Sequence, residues 1–226
     1  MHIDSYYLIL VIPTLILSLW AQIMVKSTFA KYSKILCSRK FTGAATAAQI
    51  LQLNKVNDVR IESVSGSLTD HYDPSKKAIR LSSPVCNNSS IAAVGVAAHE
   101  AGHALQHAQH WGPVILKKSL VPVAKIGSSM GPWLALAGLA LSLPLLVNIG
   151  IILFGGAVLF YVITLPVEFN ASSRALTLLR DNNILSPDEL KGARKVLNAA
   201  AMTYVASTLT ALMSFLRLFL RSRGRR

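Results

Sequence analysis

Four of the chain's six histidines fall in one stretch, VAAHEAGHALQHAQHW (Val96–Trp111): His99, His103, His107 and His110. Imidazole is the commonest protein metal ligand. Within the stretch, His99-Glu100-Ala101-Gly102-His103 reads H-E-x-x-H. On a helix, residues i and i+4 share a face one turn apart, so both imidazoles can reach one ion. Glu100 sits beside them, where it can take a proton from a water held at that ion. The same five letters also arise by chance, or as a charged helix surface. Here the neighbours are Ala, Gly and Val instead of a solvated face, which makes metal binding the stronger reading. Ala101 and Gly102 leave room for another element to come close.

Helix geometry limits the site. His107 lies eight residues beyond His99, about 12 Å along the axis. A zinc–nitrogen bond is only about 2.0–2.1 Å long. An ion held by His99 and His103 is therefore out of reach of His107 and His110. Those two read as polar residues closing an amphipathic helix, with an accessory metal or a substrate contact as the alternative. A third ligand in the same segment would follow H-E-x-x-H-x-x-G-x-x-H, but the chain has Gln106 at the glycine position and its histidine falls at 110. The remaining common choice is a carboxylate on a second helix. Glu168, in LPVEFNASSRAL just after Pro166, is the candidate. The plainer reading of Glu168 is an acid favoured by the dipole in a helix's first turn.

The elements that must carry these residues follow from composition and pattern. Of 226 residues, 52% are hydrophobic and 15% charged, with 23 Lys+Arg against 10 Asp+Glu. Mean hydropathy is +0.46. An apolar chain with a basic excess fits a membrane protein whose cytoplasmic side is rich in Lys and Arg. The charge is scattered and no nucleic-acid-binding motif accompanies it, so nucleic acid is not an expected partner. Cys37 and Cys86 stand alone, forming neither a CxxC zinc pair nor a disulfide framework. That usage fits a reducing compartment.

Four apolar stretches stand out. Tyr6–Val25 carries no charge and is long enough to cross ~30 Å of hydrocarbon, with Pro13 as a kink. A signal peptide would open on basic residues and end at an A-x-A-like site; this one opens with Asp4 and has no such site, so it reads as a retained anchor. Ile126–Val147 and Ile149–Leu165 read as a membrane hairpin turning at Asn148, beside Gly150. Ala199–Leu220, interrupted by Arg217, either spans or lies in the interface. Lys26, Lys31, Lys34, Arg39 and Lys40 follow the first stretch, and Lys117, Lys118 and Lys125 precede the second. This asymmetry puts the intervening polar segment in the cytoplasm. Arg174, Arg180, Lys191, Arg194 and Lys195 place Val167–Asn198 there too. A fourth crossing would put the tail RSRGRR outside, against the same rule, so three to four transmembrane helices are expected.

Inside the polar segment, Thr46–Leu53 reads as a helix and Val59–Val64 as a strand. Ser67–Tyr72 and Ala78–Leu81 flank the turn DPSKK as a β-hairpin. Ser89 or Ser90 caps the H-E-x-x-H helix. SPDE (Ser186–Glu189) opens another, with a Ser cap, Pro at the first helical position and Glu three residues after the cap.

HEAGHALQH, LPVEFNASSRAL and LTDHYDPSKKAIRLS resemble the bacterial membrane-bound neutral zinc metallopeptidase (YugP-like) family, and the resemblance runs over nearly the whole chain. It implies a gluzincin-type site holding one zinc ion, with His99, His103 and Glu168 as ligands and Glu100 as the base. The logic is similar to that of HtpX-like and CAAX-prenyl-protease-like membrane peptidases. In many gluzincins an acid four residues after the third ligand supports a histidine ligand. Here that position is Ser172, so Ser172 and nearby Asn170 are the candidates for that support.

The expected fold is a mainly α membrane protein with a small α+β zincin-like cytoplasmic catalytic domain of helices and a short sheet. Residues 1–25 form the anchor, 26–125 the cytoplasmic metallopeptidase domain, 126–165 the hairpin, 166–198 the helices carrying the third ligand, and 199–226 a transmembrane or interfacial helix with the basic tail. The expected activity is peptide-bond hydrolysis at the cytoplasmic face of a bacterial cell membrane, on a protein or peptide substrate. His71, Tyr72 and Arg174 are candidate oxyanion or substrate contacts; a polar hairpin edge and a surface arginine are their plainer readings. The hairpin strand offers a β-pairing edge to an extended substrate. Two other classes remain open: a membrane metal transporter using the His-rich helix, and an inactive scaffold.

Overall fold

Apolar residues recur on every side of the H-E-x-x-H helix, which places it inside a core and not on a surface. The computed structural model, which describes residues 5–223, bears this out. Asp4 and the end of the RSRGRR tail lie outside the described residues. The elements, in chain order, are a π-helical turn Tyr7–Val11, α1 (Ile12–Tyr32), α2 (Gly43–Leu53), β1 (Arg60–Val64), β2 (His71–Asp73), β3 (Ala78–Ser82), α3 (Ser83–Cys86), α4 (Ile91–Ala108), α5 (Gly112–Ala140), α6 (Pro144–Asp181) and α7 (Pro187–Arg223).

The chain forms two compact units. The first comprises Met1–Gln22, Ile115–Pro166 and Met202–Arg226; the second comprises Ile23–Val114 and Val167–Ala201. In the second unit, α4 packs into a core with Ile50 and Leu51 of α2, Ile79 and Leu81 of β3, Val85 of α3, Ala175 and Leu179 of α6, and Ala193, Val196 and Leu197 of α7. Ser90 caps α4, its hydroxyl accepting from the Ala93 N–H at 3.2 Å. The SPDE start of α7 is a reciprocal capping box. Glu189 Oε2 accepts from the Ser186 N–H at 2.7 Å, and Ser186 Oγ accepts from the Glu189 N–H at 3.4 Å. Glu189 also receives the Ser38 N–H at 2.6 Å, tying an early loop to this helix.

The sheet is three-stranded with β3 in the middle, parallel to β1 and antiparallel to β2. The β2–β3 pair is the expected hairpin, although its first strand starts at His71, leaving Ser67–Asp70 outside it. Alternation puts Ile79 and Leu81 in the core and Arg80 on the other face. There Arg80 reaches Glu62 of β1 and Asp73 of β2, both at 3.1 Å, bridging all three strands. β2 is an edge strand, open along its outer side among the described residues.

Three helices among the described residues carry long apolar surfaces. Tyr7–Tyr32, Pro144–Asp181 and Pro187–Arg223 are long and apolar enough to cross a membrane, yet only 17%, 28% and 22% of their most apolar windows are buried by protein. Lipid is the solvent such faces require. The chain thus fits a mainly helical membrane protein with three candidate spans and a small sheet. The Ala199–Leu220 stretch lies in one of those spans, continuous with the SPDE helix. By contrast α5, which carries most of Ile126–Val147, is not among them; it holds Lys117, Lys118 and Lys125 and two internal prolines.

The tight turn of the hairpin differs from expectation. It falls at Leu141–Leu143 and not at Asn148. Ser142 adopts a left-handed conformation (φ 57°) after α5. Pro144 then opens α6 at the position where a missing N–H costs no helical bond. Gly150 sits inside α6 instead, facing α5, where a Cβ would meet the backbone of Gly131 and Ala135.

Candidate metal centre

Two helices of the second unit build the centre. α4 supplies His99 and His103, one turn apart on one face, with ring centroids 4.6 Å apart and nearly perpendicular planes. α6 supplies Glu168, two residues into its stretch within this unit. The helices approach closely because Gly102 faces the α6 backbone. A Cβ on Gly102 would lie 2.8 Å from the Ala171 carbonyl oxygen, nearer than any real side chain tolerates. The room that Gly102 was expected to leave is filled by α6 itself.

The three donor atoms form a small triangle. His99 Nε2 and His103 Nε2 are 3.1 Å apart. Glu168 Oε2 lies 3.4 Å from the first and 3.3 Å from the second. The Glu168 side chain is only 5% exposed and the two imidazoles 12% and 14%. A carboxylate this buried needs a positive partner or tight hydrogen bonding. The residues fit a metal ion by composition and spacing. Two imidazole nitrogens and a carboxylate oxygen are a typical zinc set, and neighbouring ligands of a tetrahedral zinc lie about 3.3 Å apart at its usual bond lengths. Among the described residues this is the cluster of metal-binding side chains close enough to hold an ion.

The rings are held from behind. Ser172 Oγ lies 3.1 Å from His99 Nδ1, so the expected support of a histidine by Ser172 has its geometry here. His103 Nδ1 lies 3.0 Å from Gln106 Oε1. Gln106 was expected only as the residue that spoils a third-histidine motif. It is fully buried, and its place three residues after His103 on one helix face was the available signal. Asn170 joins this arrangement through Gln106. Its Oδ1 accepts from Gln106 Nε2 at 3.0 Å and from Arg174 Nε at 2.7 Å. Arg174 also donates to Gln109 Oε1 and lies 6.0 Å over the Trp111 ring, so it belongs to this network.

The remaining residues are divided by the sheet. Glu100 is buried on α4 beside His99. Tyr72 faces α4, its ring 5.4 Å from that of His107. His107 thus packs against the sheet one turn beyond His103, outside the triangle. Burial pushes the Tyr72 hydroxyl above the usual phenol range, and the carboxylates of Asp58 and Asp73 add to the shift. His71, on the alternate face of β2, is exposed, with Nδ1 2.8 Å from the Thr69 carbonyl oxygen. His110 lies in the turn after α4 with a left-handed backbone (φ 50°).

Comparison with known proteins agrees with this geometry. A family described as "Putative neutral zinc metallopeptidase" matches residues 7–223. A relative from Bacillus subtilis (strain 168), named "Putative membrane protease YugP", is 49% identical over 211 residues, covering 93% of this chain and 94% of its own. No solved structure matches. With a family match over almost its full length and a near-full-length relative at this identity, the chain belongs to the neutral zinc metallopeptidase family.

Proposed function

We propose that this chain is a membrane-anchored zinc endopeptidase in which His99, His103 and Glu168 hold one zinc ion and Glu100 is the general base. The observation that carries the reading is the near-equilateral triangle of His99 Nε2, His103 Nε2 and Glu168 Oε2, with sides of 3.1, 3.3 and 3.4 Å. Bound zinc would supply a water acidified toward a pKa of ~7 and a Lewis acid for the peptide carbonyl.

This chain's residues do the rest. Glu100, next to His99 on α4, accepts the proton of the attacking water and returns it to the leaving amide nitrogen. Ser172 holds the His99 ring from its Nδ1 side. Tyr72, on the strand packed against α4, is the proposed donor to the developing oxyanion. The open edge of β2 pairs with an extended peptide, fixing the scissile bond through backbone hydrogen bonds. The lysines and arginines at residues 26–40 and 117–125 support a cytoplasmic side for this site. Family membership favours hydrolysis over metal carriage, since Glu100 would have no task in a carrier.

The test is purification in detergent with metal analysis and a casein cleavage assay. Glu100→Gln should keep its zinc and lose cleavage by about 10²–10⁴-fold, the usual worth of a general base. Glu168→Ala should lose both zinc and activity. Undiminished cleavage in Glu100→Gln, or full zinc content in Glu168→Ala, sinks the assignment.

A further inference from the structure

His99 and His103 are backed by different chemistry. Ser172 presents a hydroxyl to His99, and a hydroxyl can donate or accept. Gln106 presents a carboxamide to His103, and its two ends are not interchangeable. Its neighbours fix which way round it sits. Gln106 Nε2 is 2.8 Å from the Val167 carbonyl oxygen. A backbone carbonyl only accepts, so the NH₂ end must face it. The same Nε2 lies 3.0 Å from Asn170 Oδ1. Arg174 Nε approaches that oxygen at 2.7 Å, and a guanidinium only donates. The amide of Asn170 is therefore fixed by Arg174, and Asn170 and Val167 both require the NH₂ of Gln106.

The acceptor end of Gln106 is left pointing at His103, with Oε1 3.0 Å from Nδ1. An acceptor there requires the proton on Nδ1. Nε2, the nitrogen 3.3 Å from Glu168 Oε2, then keeps its lone pair.

We infer that Gln106 is a positioning residue that locks His103 in its Nδ1–H tautomer, with the Nε2 lone pair turned to the metal site. Its own orientation is imposed by Val167 and by the Arg174–Asn170 pair. The consequence for zinc rests on the function proposed above; the tautomer does not. The two histidines are thus unequal: His103 is held in its ligating form before any ion arrives, while the hydroxyl behind His99 imposes no such polarity.

The experiment uses full-length protein in detergent with ¹⁵N-labelled histidine, metal-free, as wild type, Gln106→Met and Gln106→Glu. Met keeps the side-chain length without hydrogen bonding; Glu keeps an oxygen for His103 to donate to. The ¹⁵N shifts of His103 should report an Nδ1–H ring in wild type and Gln106→Glu, and a ring released from that form in Gln106→Met. Zinc affinity by chelator competition should fall about 10–100-fold in Gln106→Met, the usual cost of losing such a partner, and be restored only in part in Gln106→Glu, whose second oxygen faces the acceptors Val167 O and Asn170 Oδ1. A wild-type His103 protonated on Nε2 overturns the inference, as does unchanged zinc affinity in Gln106→Met. If Gln106→Met does not fold, the wild-type spectrum alone still decides. Failure of the peptidase proposal would appear separately, as wild-type protein that binds no zinc.

Discussion

Helix α6 makes two backbone-close contacts, one in each unit, and the same device does different work in each. In the second unit Gly102 of α4 faces Ala171 of α6. The residues around that contact are His99, His103, Glu168, Ser172 and Gln106, all polar and largely buried. In the first unit Gly127, Gly131 and Gly138 of α5 face Leu153, Phe154 and Val147 of α6. The residues around that contact are apolar. In lipid, where apolar surface gains nothing from leaving its surroundings, close approach adds dispersion and helix association. In the polar unit close approach sets interatomic distances at a site, where tenths of an ångström decide whether three donors share one ion.

That contrast predicts different failures for equal insults. Gly102→Val should have the largest effect. The new side chain must push α6 away from α4, because its nearest obstacle is the Ala171 backbone and not a flexible side chain. Zinc content and cleavage should both be lost while far-UV circular dichroism stays helical; retained zinc would show that the α4–α6 spacing does not set the site. Gly131→Val adds the same bulk to the α5–α6 contact, where a Cβ meets the Phe154 backbone N at 2.8 Å. It should cost about 1–3 kcal/mol of stability by overpacking, read as an earlier melt in detergent. The folded fraction should bind zinc as wild type does; weakened binding would mean that the contrast is false.

The smallest effect is expected at Asp70, which belongs to neither contact. Burial raises its carboxyl above the usual range, although Ser82 donates to it from both N and Oγ. A raised folded value means that the folded state binds more protons than the unfolded one. Stability therefore falls as pH rises from the unfolded carboxylate value through the folded one. Asp70→Asn, which still accepts from Ser82, should flatten that decline in melts taken across this pH window and leave zinc affinity unchanged. A decline that persists in the variant would assign it to another group.

Much of the molecule is legible before folding. H-E-x-x-H puts two imidazoles on one helix face by helical period alone, and the Ser186 capping box and the DPSKK hairpin are local signals that the fold keeps. The turn of the α5–α6 hairpin was misplaced because Asn148 and Gly150 look like turn residues locally. The helix start is set instead by Pro144, and Gly150 is needed for contact with α5. Gln106, three residues after His103, is within reach of it by helical period, but which end of its amide faces the ring depends on the Val167 carbonyl, far away in the chain. His71 and Tyr72, adjacent in sequence, are separated by the pleat: one reaches α4 and the other faces out.

The sequence by itself determined the pair His99 and His103, the acid between them, the alternating strands and the apolar lengths of the spans. These follow from short-range periodicity, which needs only neighbouring residues. The tertiary structure alone decided that Glu168 comes within 3.4 Å of both imidazoles, that Ser172 stands behind His99, which end of Gln106 faces His103, and that His107 turns to Tyr72. Those outcomes depend on how closely two helices distant in sequence approach. That distance is set by the absence of one Cβ at Gly102 and by the polarity of groups that only packing brings together.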